Sequence, residues 1–379
     1  MIVGRSSLVG VAVGAIAALL VIGNVSLFRR SGPITGPMVS EHGGPIRTLV
    51  MQYTSGATFV WPVYRQFLQY QPAGVTVHMV CPGAADFSEI QQAIGEVKCT
   101  VSPIFTGHEM TAWARDRWVE LEPASPGGAI TLLAPKGELQ QEIWPQRAGD
   151  SRVAEDLAKA LGPAMRSERS SLYFDGGDLL ADAQFVFATS AVLRRNLQHT
   201  VTERQELIEK LEYDLRRRVI LMDDAPDHHA GMYMMAAGNG RMLVGDPSLG
   251  AALLAADSPL LTAMEGGPDF SPETQRHFDA VAKLAADQGY QVFRIPTVPG
   301  RDGKRYLTYV NVIMDVRDSR PIVYMPTYQD QAKLNAAAQG VWQSLGYQVF
   351  PVDCTTLWPQ GGALHCLVNV LERQGQSRP

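Results

Sequence analysis

The chain has 379 residues, a formal net charge of −5 and an apolar fraction of 46%. This length suffices for one large domain or two small ones, and the apolar fraction is that of a globular protein with a sizeable core. The acidic charge argues against nucleic acid as a partner. The 4 cysteines are too few for a disulfide scaffold, and their spacing gives no zinc pattern.

The N-terminal segment from Leu8 to Phe28 carries no charge, while Arg5 precedes it and Arg29 and Arg30 follow it. A run of about 20 apolar residues can span a bilayer. We therefore predict a single-pass, membrane-anchored protein that contacts the membrane through residues 8–28. The alternative is a cleaved signal peptide and an exported protein. The basic residues on both sides leave the orientation open.

Three parts of the chain follow from this segment. Residues 1–30 are predicted to form the signal-anchor or signal peptide segment. Residues 31–45 are rich in Gly, Pro and Ser and are predicted to form a linker. Residues 46–379 show no composition break and are predicted to form one folded domain.

Within this domain, short strands alternate with helices, which indicates an α/β protein. Strands are predicted at Arg47–Tyr53, Val75–Cys81, Val97–Ile104, Val119–Leu121, Ala129–Leu133, Arg218–Met222, Met232–Ala236, Met242–Asp246, Gln291–Pro296, Tyr306–Asp315, Pro321–Met325 and Gln348–Val352. Leu179–Ala188 is predicted to form two short strands with a turn near Asp182. Helices are predicted at Trp61–Tyr70, Asp86–Ile94, Val153–Leu161, Thr202–Leu215, Gln275–Gln288, Gln331–Leu345 and Leu367–Arg373.

Two segments of the last third are nearly alike. They read DQGYQVFRIP (Asp287–Pro296) and SLGYQVFPVD (Ser344–Asp353). Each combines a helix end, a Gly and a buried strand. This similarity indicates a degenerate repeat of strands plus helix, roughly 60–70 residues long.

A candidate nucleophile lies near the C-terminus, in GGALHCLVNV (Gly361–Val370). Two glycines permit a tight turn, and Cys366 is predicted just ahead of an apolar helix. Amides at a helix N-terminus acidify a thiol, so Cys366 is a candidate for covalent catalysis. The alternative is a small buried side chain, which is what most free cysteines are.

A candidate proton shuttle lies in PDHHAGMYMM (Pro226–Met235), between two predicted strands. Because adjacent side chains point to opposite sides, at most one of His228 and His229 is expected to face a site. A neutral imidazole there can transfer protons for a thiolate. The alternative is a surface histidine.

Two further motifs carry carboxylates. WARDRWV (Trp113–Val119) places Asp116 among arginines and tryptophans, where a carboxylate can bind a planar cation through paired hydrogen bonds. FDGGDLLAD (Phe174–Asp182) joins a Gly-Gly turn to three carboxylates. The alternatives are a surface salt-bridge cluster for the first motif and solvated side chains for the second.

Taken in chain order, from Asp116 through the Gly-Gly turn and His229 to Cys366, the four motifs resemble the agmatine deiminase and bacterial peptidylarginine deiminase family of guanidino-group-modifying enzymes. The resemblance extends from about Arg47 to Glu372 and includes YVNVIMD (Tyr309–Asp315) and MPTYQDQAKLNAAA (Met325–Ala338). It implies the pentein fold, a five-bladed αβ-propeller of ββαβ units, here preceded by the N-terminal hydrophobic helix.

The resemblance also implies a site. Cys366 corresponds to the nucleophile that forms a thiouronium intermediate, His229 to the general acid/base and Asp116 to the carboxylate that binds the guanidinium. The residues expected to contribute to substrate binding are Trp113, Arg115, Asp178, Asp227 and Gly362. The implied substrate is a small-molecule or peptidyl guanidino compound, and the chemistry requires neither a metal nor a cofactor. The sequence does not define the oligomeric state.

One position departs from the family pattern His–x–Asp, because Gly231 follows His229 and Ala230. A bound guanidinium therefore loses a charge-assisted hydrogen-bond partner, on the order of 1.5–3 kcal/mol. Asp227 and Asp178 are candidates to replace the missing carboxylate. Besides a deiminase-like hydrolase, this departure leaves two alternatives, a non-catalytic binding protein of the same fold and an amidinotransferase.

Overall fold

Five sheets repeat one pattern of strand pairing in the computed structural model, which describes residues 35–138, 145–255 and 257–374. In each sheet an antiparallel pair is followed by at least one helix and by a strand parallel to the second member of the pair. These residues belong to one compact unit that begins at Thr35. The chain thus has a mixed α/β fold.

The strands of the described residues follow one another at short intervals. They are β1 (Thr35–Met38), β2 (Ile46–Gln52), β3 (Thr76–Cys81), β4 (Thr100–Phe105), β5 (Val119–Pro123), β6 (Ile130–Ala134), β7 (Met165–Arg169), β8 (Leu179–Ala181), β9 (Phe185–Thr189), β10 (Arg218–Met222), β11 (Met234–Ala236), β12 (Arg241–Asp246), β13 (Gln291–Pro296), β14 (Val298–Pro299), β15 (Tyr306–Leu307), β16 (Ile313–Arg317), β17 (Arg320–Thr327), β18 (Gln348–Asp353) and β19 (Val368–Arg373).

The α-helices connect these strands. They are α1 (Trp61–Gln69), α2 (Ala84–Ile94), α3 (Pro145–Asp150), α4 (Val153–Leu161), α5 (Ser190–Asn196), α6 (Arg204–Leu215), α7 (Pro247–Leu253), α8 (Leu260–Ala263), α9 (Pro272–Asp287) and α10 (Ala332–Ser344).

Strand order within the sheets follows the repeated pattern. The orders are β19-β2-β3-β4, β1-β5-β6-β7, β10-β9-β8, β11-β12-β13 and β16-β17-β18, with β14 and β15 as a separate pair. Strand β9 is apolar except for its last residue and is buried along its whole length, as expected for a strand covered on both faces. Helix α9 begins after Ser271, whose Oγ accepts a hydrogen bond from the Thr274 amide at 3.3 Å. This capping interaction fixes where the helix starts.

The prediction of a closing helix at Leu367–Arg373 is wrong, because this segment forms a strand. Val368–Arg373 forms β19, which pairs antiparallel with β2. Its residues are buried except for Glu372, so both faces of this strand are covered. Six residues are too few for helical and strand periodicity to be distinguished from sequence.

Part of the predicted linker 31–45 is folded. Thr35–Met38 forms β1, which pairs with β5. Beyond it, the Glu41 carboxylate accepts a hydrogen bond from Arg115 Nη2 at 2.5 Å and lies 2.8 Å from His365 Nε2. Burial alone would raise the pKa of Glu41, but Arg115 and His365 lower it to about 2. This segment therefore packs against the loop that carries Cys366. The remaining domain boundaries stay predictions.

The predicted membrane anchor is contradicted by the structure. Across residues 35–138, 145–255 and 257–374, no helix has both the length and the apolar character needed to cross a bilayer. The prediction of a membrane-anchored, transmembrane protein is wrong on this finding. The segment 8–28, on which it was based, lies outside the described residues.

Candidate active site

Cys366 lies in a short 3-10 turn, Leu364–Leu367, directly before β19. It is 4% exposed. Its Sγ lies 3.6 Å from Asn311 Nδ2 and 4.0 Å from Met232 Sδ. Because a strand follows instead of a helix, the predicted position of Cys366 at the N-terminus of a helix is wrong. The Asn311 side-chain amide thus faces the sulfur.

His229 lies between β10 and β11, at the start of a 3-10 turn. Its ring packs on Gly177, where a Cβ would lie 2.4 Å from His229 Nδ1. His229 Nε2 lies 3.5 Å from Asp175 Oδ2. Burial alone would lower the pKa of His229, but the Cys366 side chain and the Asp116 carboxylate raise it. The protonated imidazole is therefore stabilised beside the thiol.

His228 points to the other side of the loop. Its Nδ1 accepts a hydrogen bond from the His229 amide at 2.7 Å, which makes Nε2 the protonated nitrogen. Nε2 donates to the carbonyl oxygens of Lys304 at 2.8 Å and Gly361 at 3.1 Å. Burial and the neighbouring His229 lower the pKa of His228 to about 4. His228 thus stays neutral near pH 7, and its hydrogen bond to the Gly361 carbonyl holds that loop in place.

Asp116 lies in the loop between β4 and β5 and is 6% exposed. Arg147 Nη1, from α3, donates a hydrogen bond to Asp116 Oδ2 at 2.5 Å. Burial alone would raise the pKa of Asp116, but Arg147, His229 and Arg117 hold it below its ordinary value. Asp116 is therefore an ionised carboxylate that already has a guanidinium partner.

The two arginines that flank Asp116 in the sequence form buried ion pairs with other carboxylates. Arg115 pairs with Glu41 at 2.5 Å, and Arg117 Nε lies 2.6 Å from Glu138 Oε1. Arg117 also pairs with Asp175. These ion pairs anchor the loop at the residues before and after Asp116. The Asp116 carboxylate therefore keeps a fixed orientation.

One cavity of about 360 Å³ brings the candidate residues together. It is lined by Thr111, Trp113, Asp116, Arg147, His229, Gln360, Gly361, Gly362 and Cys366. The Trp113 ring forms one wall and packs on Gly362, where a Cβ would lie 2.5 Å from the ring. A thiol, a titratable imidazole, a carboxylate and an aromatic wall thus share one site.

The family model of the Porphyromonas-type peptidyl-arginine deiminases matches residues 58–370. The chain belongs to this family. No curated protein matches the sequence. Two solved structures with this fold are the agmatine deiminases of C. jejuni and of Enterococcus faecalis. Each is 15% identical in sequence to this chain and has a TM-score of 0.64. The match covers 89% of this chain and 96% of each solved chain. The mixed α/β fold is therefore that of the pentein-fold deiminases.

Arg115, one of the residues predicted to bind substrate, does not line the cavity. Arg115 pairs with Glu41, and its Nη1 also donates a hydrogen bond to Asn369 Oδ1 at 3.2 Å. The structure thus places Arg115 in a buried network behind the cavity wall.

The two carboxylates predicted to replace the missing one are engaged elsewhere. Asp178 accepts hydrogen bonds from Arg195 Nη1 at 2.5 Å and Thr189 Oγ1 at 2.9 Å. The Asp227 side chain is 75% exposed and pairs with Arg194. Neither lines the cavity, so neither stands in for a carboxylate at position 231.

Gly231 lies close to Cys366. A Cβ there would lie 3.2 Å from both Asn311 Nδ2 and His365 Nδ1. The Gly231 carbonyl accepts a hydrogen bond from Asn311 Nδ2 at 3.1 Å, and the same Nδ2 faces Cys366. Asn311 and His365 therefore surround the place where the family pattern has an Asp side chain.

Sequence reasoning missed Arg147, Asn311 and Asp175 as parts of the site. Arg147 lies two residues after Pro145 in WPQRAGD (Trp144–Asp150), where nothing in the local pattern indicates a contact with Asp116. Asn311 lies within the quoted YVNVIMD segment, but that segment was read as a strand. Among the described residues, no group of three His, Cys, Asp or Glu side chains is arranged to hold a metal.

The substitution Asp116→Asn is expected to lower the pKa of His229. The carboxylate raises this pKa, and its loss leaves the Arg147 cation nearby. The measurement is an NMR titration of the His229 ring. Asp223→Asn is the control, because Asp223 is exposed and pairs with Arg204. An unchanged titration of His229 in folded Asp116→Asn protein would contradict this electrostatic coupling.

Proposed function

We propose that the protein is a hydrolase that breaks a C–N bond of a guanidino compound, such as an arginine-like or agmatine-like molecule, through a covalent intermediate on Cys366. The observation that supports it most directly is the placement of Cys366, His229 and Asp116 around one cavity. Membership of a deiminase family supports the same chemistry. Three residues far apart in the sequence thus supply three complementary roles.

In the proposed reaction, Asp116 binds the guanidinium nitrogens and the Cys366 thiolate attacks the guanidinium carbon. His229 donates a proton to the departing nitrogen, which leaves as ammonia, and a thiouronium remains on the sulfur. His229 then accepts a proton from water, which attacks the same carbon. The C–S bond breaks, the thiolate returns, and a ureido product is released.

The same proposal includes the finer architecture. Five sheets with one pairing pattern are the number required for a five-bladed αβ-propeller of ββαβ units. Strand β19 pairs with β2, so that the last and one of the first strands of the described chain share a sheet. Such pairing is what closure of a ring of repeats requires.

A second candidate function is ligand binding without catalysis. Two observations favour it, namely the ion pair that already occupies Asp116 and the glycine at position 231. In that case the cavity binds its ligand without loss of ammonia. Turnover separates the two functions.

The first test is ammonia release from a panel of guanidines that includes agmatine and free arginine. We expect slow release by the native protein and no release by Cys366→Ala, because the thiol is the proposed nucleophile. Cys99→Ala is the matched control, since Cys99 is also buried but lies outside the cavity. Equal release by native protein and Cys366→Ala, or no release from any guanidine, would refute the hydrolase.

The second test is the substitution Gly231→Asp. A second carboxylate satisfies more donors of a planar guanidinium, so we expect binding or turnover of guanidines to rise by about tenfold. The nearest atoms to a Cβ at position 231 belong to the Asn311 and His365 side chains, each at 3.2 Å, so these side chains must shift by a few tenths of an ångström. Gly340→Asp is the control, because that position opens to solvent. Loss of turnover in a folded Gly231→Asp protein would show that another group serves this purpose.

A further inference from the structure

Residues 39–46 lead from β1 into β2 and contact each of the five sheets that share the repeated strand pattern. The contacts are with Glu120 in β5, Ala181 in β8, Gly238 between β11 and β12, Asp315 in β16 and Arg373 in β19. Within this segment, the Glu41 amide donates a hydrogen bond to the Ala181 carbonyl at 3.0 Å, and Arg373 Nη2 donates to the Glu41 carbonyl at 2.9 Å. The backbone of Glu41 is thus held from two sheets, which fixes the direction of its side chain.

The Glu41 side chain ends in a buried carboxylate that is 8% exposed. Despite this burial, Arg115 and His365 lower its pKa to about 2, so it is ionised and can only accept hydrogen bonds. His365 Nε2, at 2.8 Å, therefore carries the hydrogen of this contact. Burial lowers the pKa of His365 more than Glu41 raises it. The His365 ring is therefore neutral, with Nδ1 unprotonated, and Glu41 holds it in one tautomer and one orientation.

His365 directly precedes Cys366 in the 3-10 turn Leu364–Leu367. Its amide donates a hydrogen bond to Asn311 Oδ1 at 2.8 Å. Its ring Nδ1 lies 3.2 Å from the place of a Cβ at position 231. Because both the backbone and the ring of His365 are held, the next residue along the chain has little freedom to turn. The direction of the Cys366 side chain therefore depends on the His365 ring.

We propose that Glu41 is a positioning residue, which acts through His365 to orient the Cys366 sulfur for attack on the substrate. This inference rests on the proposed function, because it takes Cys366 as the nucleophile. It assigns a role in the reaction to a segment that precedes residues 58–370, which are the part of the chain that the family model matches.

The test uses the kinetics of covalent modification of Cys366 by a haloacetamidine in the full-length protein. The maximal rate reports how well the sulfur is placed, whereas the half-saturating concentration reports binding of the amidinium. We expect Glu41→Gln to lower the maximal rate by about tenfold and to leave the half-saturating concentration unchanged. Glu372→Gln is the matched control, because Glu372 is exposed and its carboxylate contacts only the Thr48 hydroxyl among the described residues.

The route through His365 is tested with His365→Asn, whose shorter side chain does not reach Glu41. This variant alone should lose about as much of the maximal rate as Glu41→Gln, and adding Glu41→Gln to it should cause no further loss. Equal factors of loss in both backgrounds would overturn the inference, as would a native maximal rate in His365→Asn. A change in the half-saturating concentration alone would also overturn it, because Glu41 would then act through Arg115 on the loop of Asp116.

Glu41→Asp provides a second variant in case Glu41→Gln does not fold. It keeps the negative charge opposite Arg115, but its side chain is one methylene too short to hold the His365 ring as Glu41 does. We expect the same loss of maximal rate, and a native rate in a folded Glu41 variant would overturn the inference. If Cys366 of the native protein is not modified at all, the proposed function fails together with the inference. Modification at a rate that no Glu41 variant alters contradicts the inference alone.

Discussion

The charged side chains around Asp116 are buried, and the cavity depends on the ion pairs that neutralise them. Arg115 pairs with Glu41, and Arg117 pairs with Asp175. Removing one partner of a buried pair costs about 3–5 kcal/mol. Because these pairs connect segments that are distant in sequence, they fix the loop that carries Asp116. The segment from β1 to Glu41 is thus part of the site's framework.

The same requirement for neutralised charge shapes the proposed chemistry. His229 lies near the Asp116 carboxylate and the Cys366 side chain, which raise its pKa, whereas burial and His229 lower that of His228. The pKa values of the two adjacent histidines are thus shifted in opposite directions. His229 is suited to proton transfer and His228 to a fixed hydrogen bond. Arg147 completes the arrangement, since its guanidinium lies near the carboxylates of Asp116, Asp150 and Asp175.

Much of the fold follows from local sequence patterns, and the similar segments show why. Asp287–Pro296 and Ser344–Asp353 each contain a helix end and a strand, β13 and β18, which are the third strands of equivalent sheets. Apolar periodicity reports such elements because burial imposes it. The motifs around Cys366, His229 and Asp116 also indicated which residues to seek in one cavity. The role of Arg147 could not be predicted, because its partner is defined only by tertiary contacts. Strand β19 was predicted as a helix, because six residues are too few to show a period.

The central claim is that Cys366 is a nucleophile in a cavity built for an amidine carbon. Mass spectrometry after treatment with a haloacetamidine probe tests it most directly, because the probe combines an amidinium group with a carbon that a thiolate can attack. The account predicts one covalent adduct, on the peptide that contains Cys366, with the buried Cys81, Cys99 and Cys354 unmodified in the folded protein. An unmodified Cys366, or modification of the other cysteines at the same rate, would contradict it.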